Sequence, residues 1–72
     1  FYPPEAVARG LEGEVRVILV LTEDGSIADV QVAASSGHAI LDNAAVKAAW
    51  AMGRLPGASV RQMILPVSFR LQ

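Results

Sequence analysis

With 72 residues, the chain is long enough for one small domain, and a domain of that size buries only about 60% of the surface its unfolded chain exposes. The lack of cysteine excludes disulfides and thiolate metal sites, and 53% hydrophobic against 18% charged residues excludes intrinsic disorder. Six Lys/Arg against seven Asp/Glu give a net charge of −1, which argues against nucleic-acid binding and leaves little repulsion to keep copies apart.

The longest strongly apolar run, Val17–Leu21, falls far short of the roughly 20 residues that a membrane-spanning helix requires. The chain opens at Phe1 with neither an initiator methionine nor a signal peptide. Residues 1–72 are therefore expected to be one domain excised from a longer protein that carries any anchor elsewhere.

Taken in order, Tyr2-Pro3-Pro4-Glu5-Ala6 is a helix start: proline fits the first turn, and Glu5 complements the helix dipole there. The helix is predicted from Pro4 to Arg9, ending at Gly10, with Ala6, Val7 and Leu11 facing inward. Gly13–Thr22 reads as a strand, with Val15, Val17, Leu19 and Leu21 on one face and Arg16, Ile18, Val20 and Thr22 on the other. Apolar residues on both faces mark a central strand or a second covered surface. Glu23-Asp24-Gly25 is a turn, and Ser26–Ala33 pairs back as a hairpin. Ala28, Val30 and Val32 are expected on one face of that strand, and Ile27, Asp29 and Gln31 on the other.

Ser35-Ser36-Gly37 breaks the extended pattern, and His38–Asn43 offers polar groups to a starting helix. Ile40–Met52 is predicted helical, with Leu41, Ala45, Ala48 and Met52 inward and Ala44 at the margin of that face. Gly53 ends it, and Arg54–Ser59 is a loop centred on Pro56-Gly57. Trp50 is read as closing the core edge against the Pro56 loop. Val60–Leu71 is the last strand, with Met63, Leu65, Val67, Phe69 and Leu71 on one face and Ile64, Pro66, Ser68 and Arg70 on the other. Pro66 has no N–H to give, which places this strand at a sheet edge. The predicted fold is α+β: a three-stranded sheet in the order 2-1-3, with a short N-terminal helix and a longer crossover helix on one face.

Candidates for chemistry are few. His38 and Asp42 with Ser35 and Ser36 have the residue types of a Ser-His-Asp triad, but three residues in one short loop are better explained as turn and capping chemistry. One histidine and scattered carboxylates offer no metal-ligand spacing, and Gly10-Leu11-Glu12-Gly13 is not a phosphate loop. Neither a cofactor nor a small-molecule substrate is expected.

Five segments in register resemble the C-terminal domain of the TonB family. They are Tyr2-Pro3-x-x-Ala6, Leu11-Glu12-Gly13-x-Val15-x-Val17, Asp24-Gly25-x-Ile27-x-Asp29-Val30-x-Val32, Ser35-Ser36-Gly37-His38-x-x-Leu41-Asp42-x-Ala44-Ala45 and Pro66-Val67-x-Phe69-x-Leu71. Arg54-Leu55-Pro56-Gly57 departs from the aromatic-Pro-Pro that the family usually has before this loop.

The resemblance implies a periplasmic, non-enzymatic domain of an inner-membrane-anchored protein in a Gram-negative bacterium. Such a protein works with ExbB and ExbD, draws on the proton gradient and serves nutrient transporters such as those for iron siderophores. It implies that the domain grips the TonB box, a short extended segment of an outer-membrane transporter, by strand addition. The family's contact maps onto Gln62, Met63, Ile64, Leu65, Pro66, Val67, Ser68, Phe69 and Arg70. The alternatives are a homodimer or scaffold pairing through the same edge, and a TolA-like envelope module.

Overall fold

The structure, a computed structural model, describes residues 2–55 and 59–72. The elements run α1 (Pro4–Ala8), β1 (Gly13–Leu21), β2 (Ile27–Ala34), α2 (Ala39–Met52) and β3 (Gln62–Phe69), and the sheet order is β2-β1-β3 with both pairs antiparallel. This is the α+β fold and the strand order that the sequence predicts.

The alternation of β1 builds the core. Val15, Val17, Leu19 and Leu21 are buried on one face, joined by Val30 from β2 and Phe69 from β3. Ala6 of α1 and Leu41, Ala44, Ala45 and Ala49 of α2 close over them, so both helices lie on the same side. Small alanines let the α2 axis come close to the sheet, where burial stabilises each apolar side chain in proportion to the area it removes from water. Tyr2 packs edge-on to Phe69 with ring centroids 5.3 Å apart, and its hydroxyl donates to the Leu11 carbonyl. That contact ties the N-terminal segment to the far end of β3.

Several expectations about side-chain direction are corrected. Val7 is exposed, because α1 is only five residues long and turns just Ala6 inward. Ile27 lies on the core side: β2 pairs Val20 with Asp29 but Leu21 with Ile27, so Ala28 is an extra residue and the alternation slips there. Ala28 itself is exposed, and so is Val32. On α2 Leu41 and Ala45 are buried as expected, together with Ala44 and Ala49; Ala48 is half-buried and Met52 at the C-terminal end is exposed. Trp50 is 45% exposed rather than closing the core, and the Pro56 expected beside it lies outside the described residues.

The hairpin turn and the segment after α2 are clasped together. Ile27 N–H donates to the Gly53 carbonyl at 3.1 Å, Leu55 N–H to the Gly25 carbonyl at 2.8 Å, and Arg54 Nε–H to the Asp24 carbonyl at 3.1 Å. Within the turn, hydrogen bonds from the Thr22 hydroxyl and then from Ser26 hold the Asp24 carboxyl down to about 2. Gly25 has φ +88°, and a Cβ there would stand 2.6 Å from the Leu55 carbonyl oxygen. Gly25→Ala is therefore expected to destabilise the domain by about 2 kcal/mol or more, through both backbone strain and the clash. Urea denaturation checks this, and an unchanged midpoint would contradict it.

Candidate functional site

The crossover from β2 to α2 holds the polar cluster that the sequence singles out. Ser35 and Ser36 hydroxyls both donate to the Asp42 carboxylate, the latter at 2.8 Å, and Ser36 N–H donates to it at 2.9 Å. The Ser36 hydroxyl accepts from His38 N–H at 3.1 Å, and its one proton is shared between the Asp42 carboxylate and the His38 carbonyl, also at 3.1 Å. Among the described residues no hydrogen bond joins the His38 imidazole to either serine or to Asp42. The carboxylate takes the hydroxyls directly, and the cluster pins the turn that starts α2.

Partial burial works against ionisation of Asp42, but the hydrogen bonds from Ser35 and Ser36 outweigh it and keep its pKa below the ordinary 3.8. Among the described residues, no three His, Asp or Glu side chains gather as a metal site, and no helix is long and apolar enough to cross a membrane.

The sheet has two edges, and they differ. On β2 the segment after α2 covers the first residues, with Gly53 accepting from Ile27 and Arg54 bridging to Ser26. Further along, register shifts leave Ala28 and Ala33 as extra residues, and such bulges spoil an edge as a template. On β3 the pairing with β1 is unbroken over eight positions, from Gly13 with Phe69 to Val20 with Gln62.

The direction of each β3 backbone group follows from two hydrogen bonds. Leu21 N–H donates to the Arg61 carbonyl at 2.7 Å, so odd-numbered β1 residues bond toward β3; Thr22 N–H donates to Ser26, so even-numbered ones bond toward β2. In an antiparallel pair, bonded and non-bonded residue pairs alternate. Met63, Leu65, Val67 and Phe69 therefore bond inward to β1. Gln62, Ile64, Pro66 and Ser68 turn their N–H and C=O groups to the open edge, and only Pro66 lacks the donor. This is an unpaired template for another extended chain.

The side chains beside that edge fall into two sets. On the helix side Phe69 is buried, Leu65 and Val67 are half-buried, and Met63 is partly exposed. On the outer side Ile64 is 62% exposed, beside half-buried Ile18 and Val20 of β1. Arg61 and Arg70 bracket the strand, and among the described residues neither forms an ion pair. The structure thus brings the predicted run Gln62 to Arg70 together on and just past one strand. Ile18 is a neighbour that the run alone omits; its signal is the apolar outer face of β1.

Comparison with known proteins places this fold among relatives. Residues 1–71 match the family described as Gram-negative bacterial TonB protein C-terminal. The TonB protein of Helicobacter pylori strain J99 is 36% identical over 74 residues, which is 99% of this chain and 26% of that protein. The TonB protein of Pseudomonas aeruginosa is 46% identical over 41 residues, 57% of this chain and 12% of that one. The chain thus spans about a quarter or less of the curated relatives it matches. The solution structure of the H. pylori TonB C-terminal domain superposes with a TM-score of 0.83 at 33% identity, covering 100% of this chain and 69% of that one. The P. aeruginosa domain gives a TM-score of 0.76 at 36% identity, covering 100% and 78%.

Because the pKa of Asp42 is depressed in the fold, its contribution is complete above the unfolded value and drains away as pH falls through the folded one. Asp42→Ala is expected to cost about 1–2 kcal/mol at neutral pH, discounted for the partial exposure of the site. The gap between variant and wild type is expected to narrow as pH drops below about 4. Urea titrations across that range check it, and a gap independent of pH would contradict the assignment.

Proposed function

The chain belongs to the family of Gram-negative bacterial TonB C-terminal domains, and from that membership we propose that it is the partner-binding end of a TonB-type energy transducer. It is a periplasmic binding module rather than an enzyme. It grips the TonB box of an outer-membrane transporter by adding that segment as a strand to β3, along Gln62, Met63, Ile64, Leu65, Pro66, Val67, Ser68, Phe69 and Arg70. Coupling to the proton gradient runs through an inner-membrane anchor, ExbB and ExbD.

The observation that carries this reading is the contrast between the two edges. β3 pairs with β1 over eight residues without a register shift and, among the described residues, has its other side open, whereas β2 is bulged and capped. Strand addition draws affinity from main-chain hydrogen bonds and selectivity from alternate side chains. Each such bond contributes about 0.5–1.5 kcal/mol net, so a short strand binds modestly and lets go, as a transducer in a cycle requires. Pairing of two copies through the same edge is opposed by Pro66, since proline on an edge blunts chain-to-chain pairing.

Titration of the isotope-labelled domain with a TonB-box peptide is expected to shift amide signals clustered between Gln62 and Arg70 and on the neighbouring β1. Shifts centred on Ser35 to Asp42, or none at all, would refute the reading.

A further inference from the structure

Pro66 does more than remove one donor. Its N position faces the open edge, because Gln62, Ile64, Pro66 and Ser68 share that direction. In place of a hydrogen, the ring puts its Cδ into the space where a neighbouring strand's carbonyl oxygen would sit. Whichever way an added strand runs, one of its carbonyls meets that methylene, so the strand must bend away or end there. The open edge is thus two segments, Gln62 to Leu65 before the proline and Val67 to Phe69 after it.

The two segments differ in what surrounds them. Ile64 lies directly across from Ile18 and Gln62 across from Val20. Both are non-bonded pairs, in which side chains come closest. A shallow apolar depression of about 320 Å3 opens there, lined by Ile18, Gln62, Met63 and Ile64. Beyond the proline the outer face is polar and already engaged. Arg16, across from Pro66, pairs with Glu14 at 3.2 Å, and the Ser68 hydroxyl donates to Glu14 at 3.4 Å. A chain laid there gains little apolar contact and disturbs a formed polar network.

We propose that Pro66 sets the register of capture: the partner's strand pairs with Gln62–Leu65 and seats an aliphatic side chain against Ile18 and Ile64, leaving Ser68 to Arg70 unpaired. This rests on the β3-edge reading and narrows it to half of the strand. The occupant is an extended peptide segment, because the edge offers unpaired N–H and C=O groups at Gln62 and Ile64 and an aliphatic surface directly beside them. On the opposite face the same segment meets Met63 and Leu65, so its residues nearest Ile64 are apolar on both sides.

Two substitutions separate the halves without touching the core. Ile64→Ala trims a side chain that is 62% exposed. Ser68→Pro removes an outward N–H and the Ser68 side-chain bond to Glu14, and leaves the backbone bonds to β1 in place. With a TonB-box peptide as probe, Ile64→Ala is expected to weaken binding about tenfold, whereas Ser68→Pro changes it less than about twofold. A thermal melt shows that each variant is folded; should Ser68→Pro not fold, the wild-type amide footprint decides, with shifts at Gln62–Leu65 and Ile18 and none at Ser68–Arg70. Equal losses from the two variants, or a footprint spread evenly to Arg70, would overturn the register while the edge reading stands. A wild-type domain that binds the peptide without perturbing β3 would overturn both.

Discussion

An antiparallel strand at the edge of a sheet satisfies only every second residue of its backbone, and in this chain that alternation decides which β3 groups stay unpaired and underlies the proposed site of attachment. β1 is the hinge of the arrangement. Its odd-numbered residues bond to β3, its even-numbered ones to β2, and its odd-numbered side chains form the centre of the core. Strand order, core face and open edge therefore cannot change independently. A slip of one residue in β1 would send Val15, Val17 and Leu19 to the outside, so the core face holds the register that sets which β3 residues turn outward.

A small domain has little stability to spare, and this one spends its polar groups on holding the sheet in place. The Ser35-Ser36-Asp42 cluster fixes the crossover into α2, and the clasp of Gly25 to Leu55 fixes the return from it. Tyr2 against Phe69 holds one end of β3, and the Leu21 to Arg61 hydrogen bond holds the other. With both ends fixed, the open side of β3 is a preformed template, and preformed surfaces lose less entropy on binding. The groups most like a catalytic set in the sequence thus serve the scaffold, and the proposed binding surface is made largely of backbone.

Much of this was legible in the sequence, for physical reasons. Period-two alternation in Val15–Leu21 and Met63–Leu71 reports which residues face the core, and Pro66 reports an edge strand before any pairing is known. The shared segments from Tyr2 to Leu71 added the family. What stayed hidden depends on long-range pairing. The bulge at Ala28, which turns Ile27 inward, arises from how β2 meets β1 and leaves no mark on a small, unremarkable residue. Which alanines of α2 face the sheet besides Ala45 was hidden by the run itself, since Ala44, Ala48 and Ala49 fit an inward position equally well. Exposure of Val7 follows from the shortness of α1, whose five residues turn only Ala6 inward, a length that composition does not reveal. The unequal blunting of the two edges, on which the functional reading turns, appears only when the segment after α2 is seen lying against β2.

Amide hydrogen exchange on β3, in the free domain and with a TonB-box peptide bound, tests the central claim most directly. In the free domain Ile64 and Ser68 should exchange quickly and Met63, Leu65 and Val67 slowly, because only the latter bond to β1. Peptide should slow Ile64 selectively. Protection of Ile64 already in the free domain, or peptide that leaves its exchange unchanged, would contradict an open edge that captures a strand.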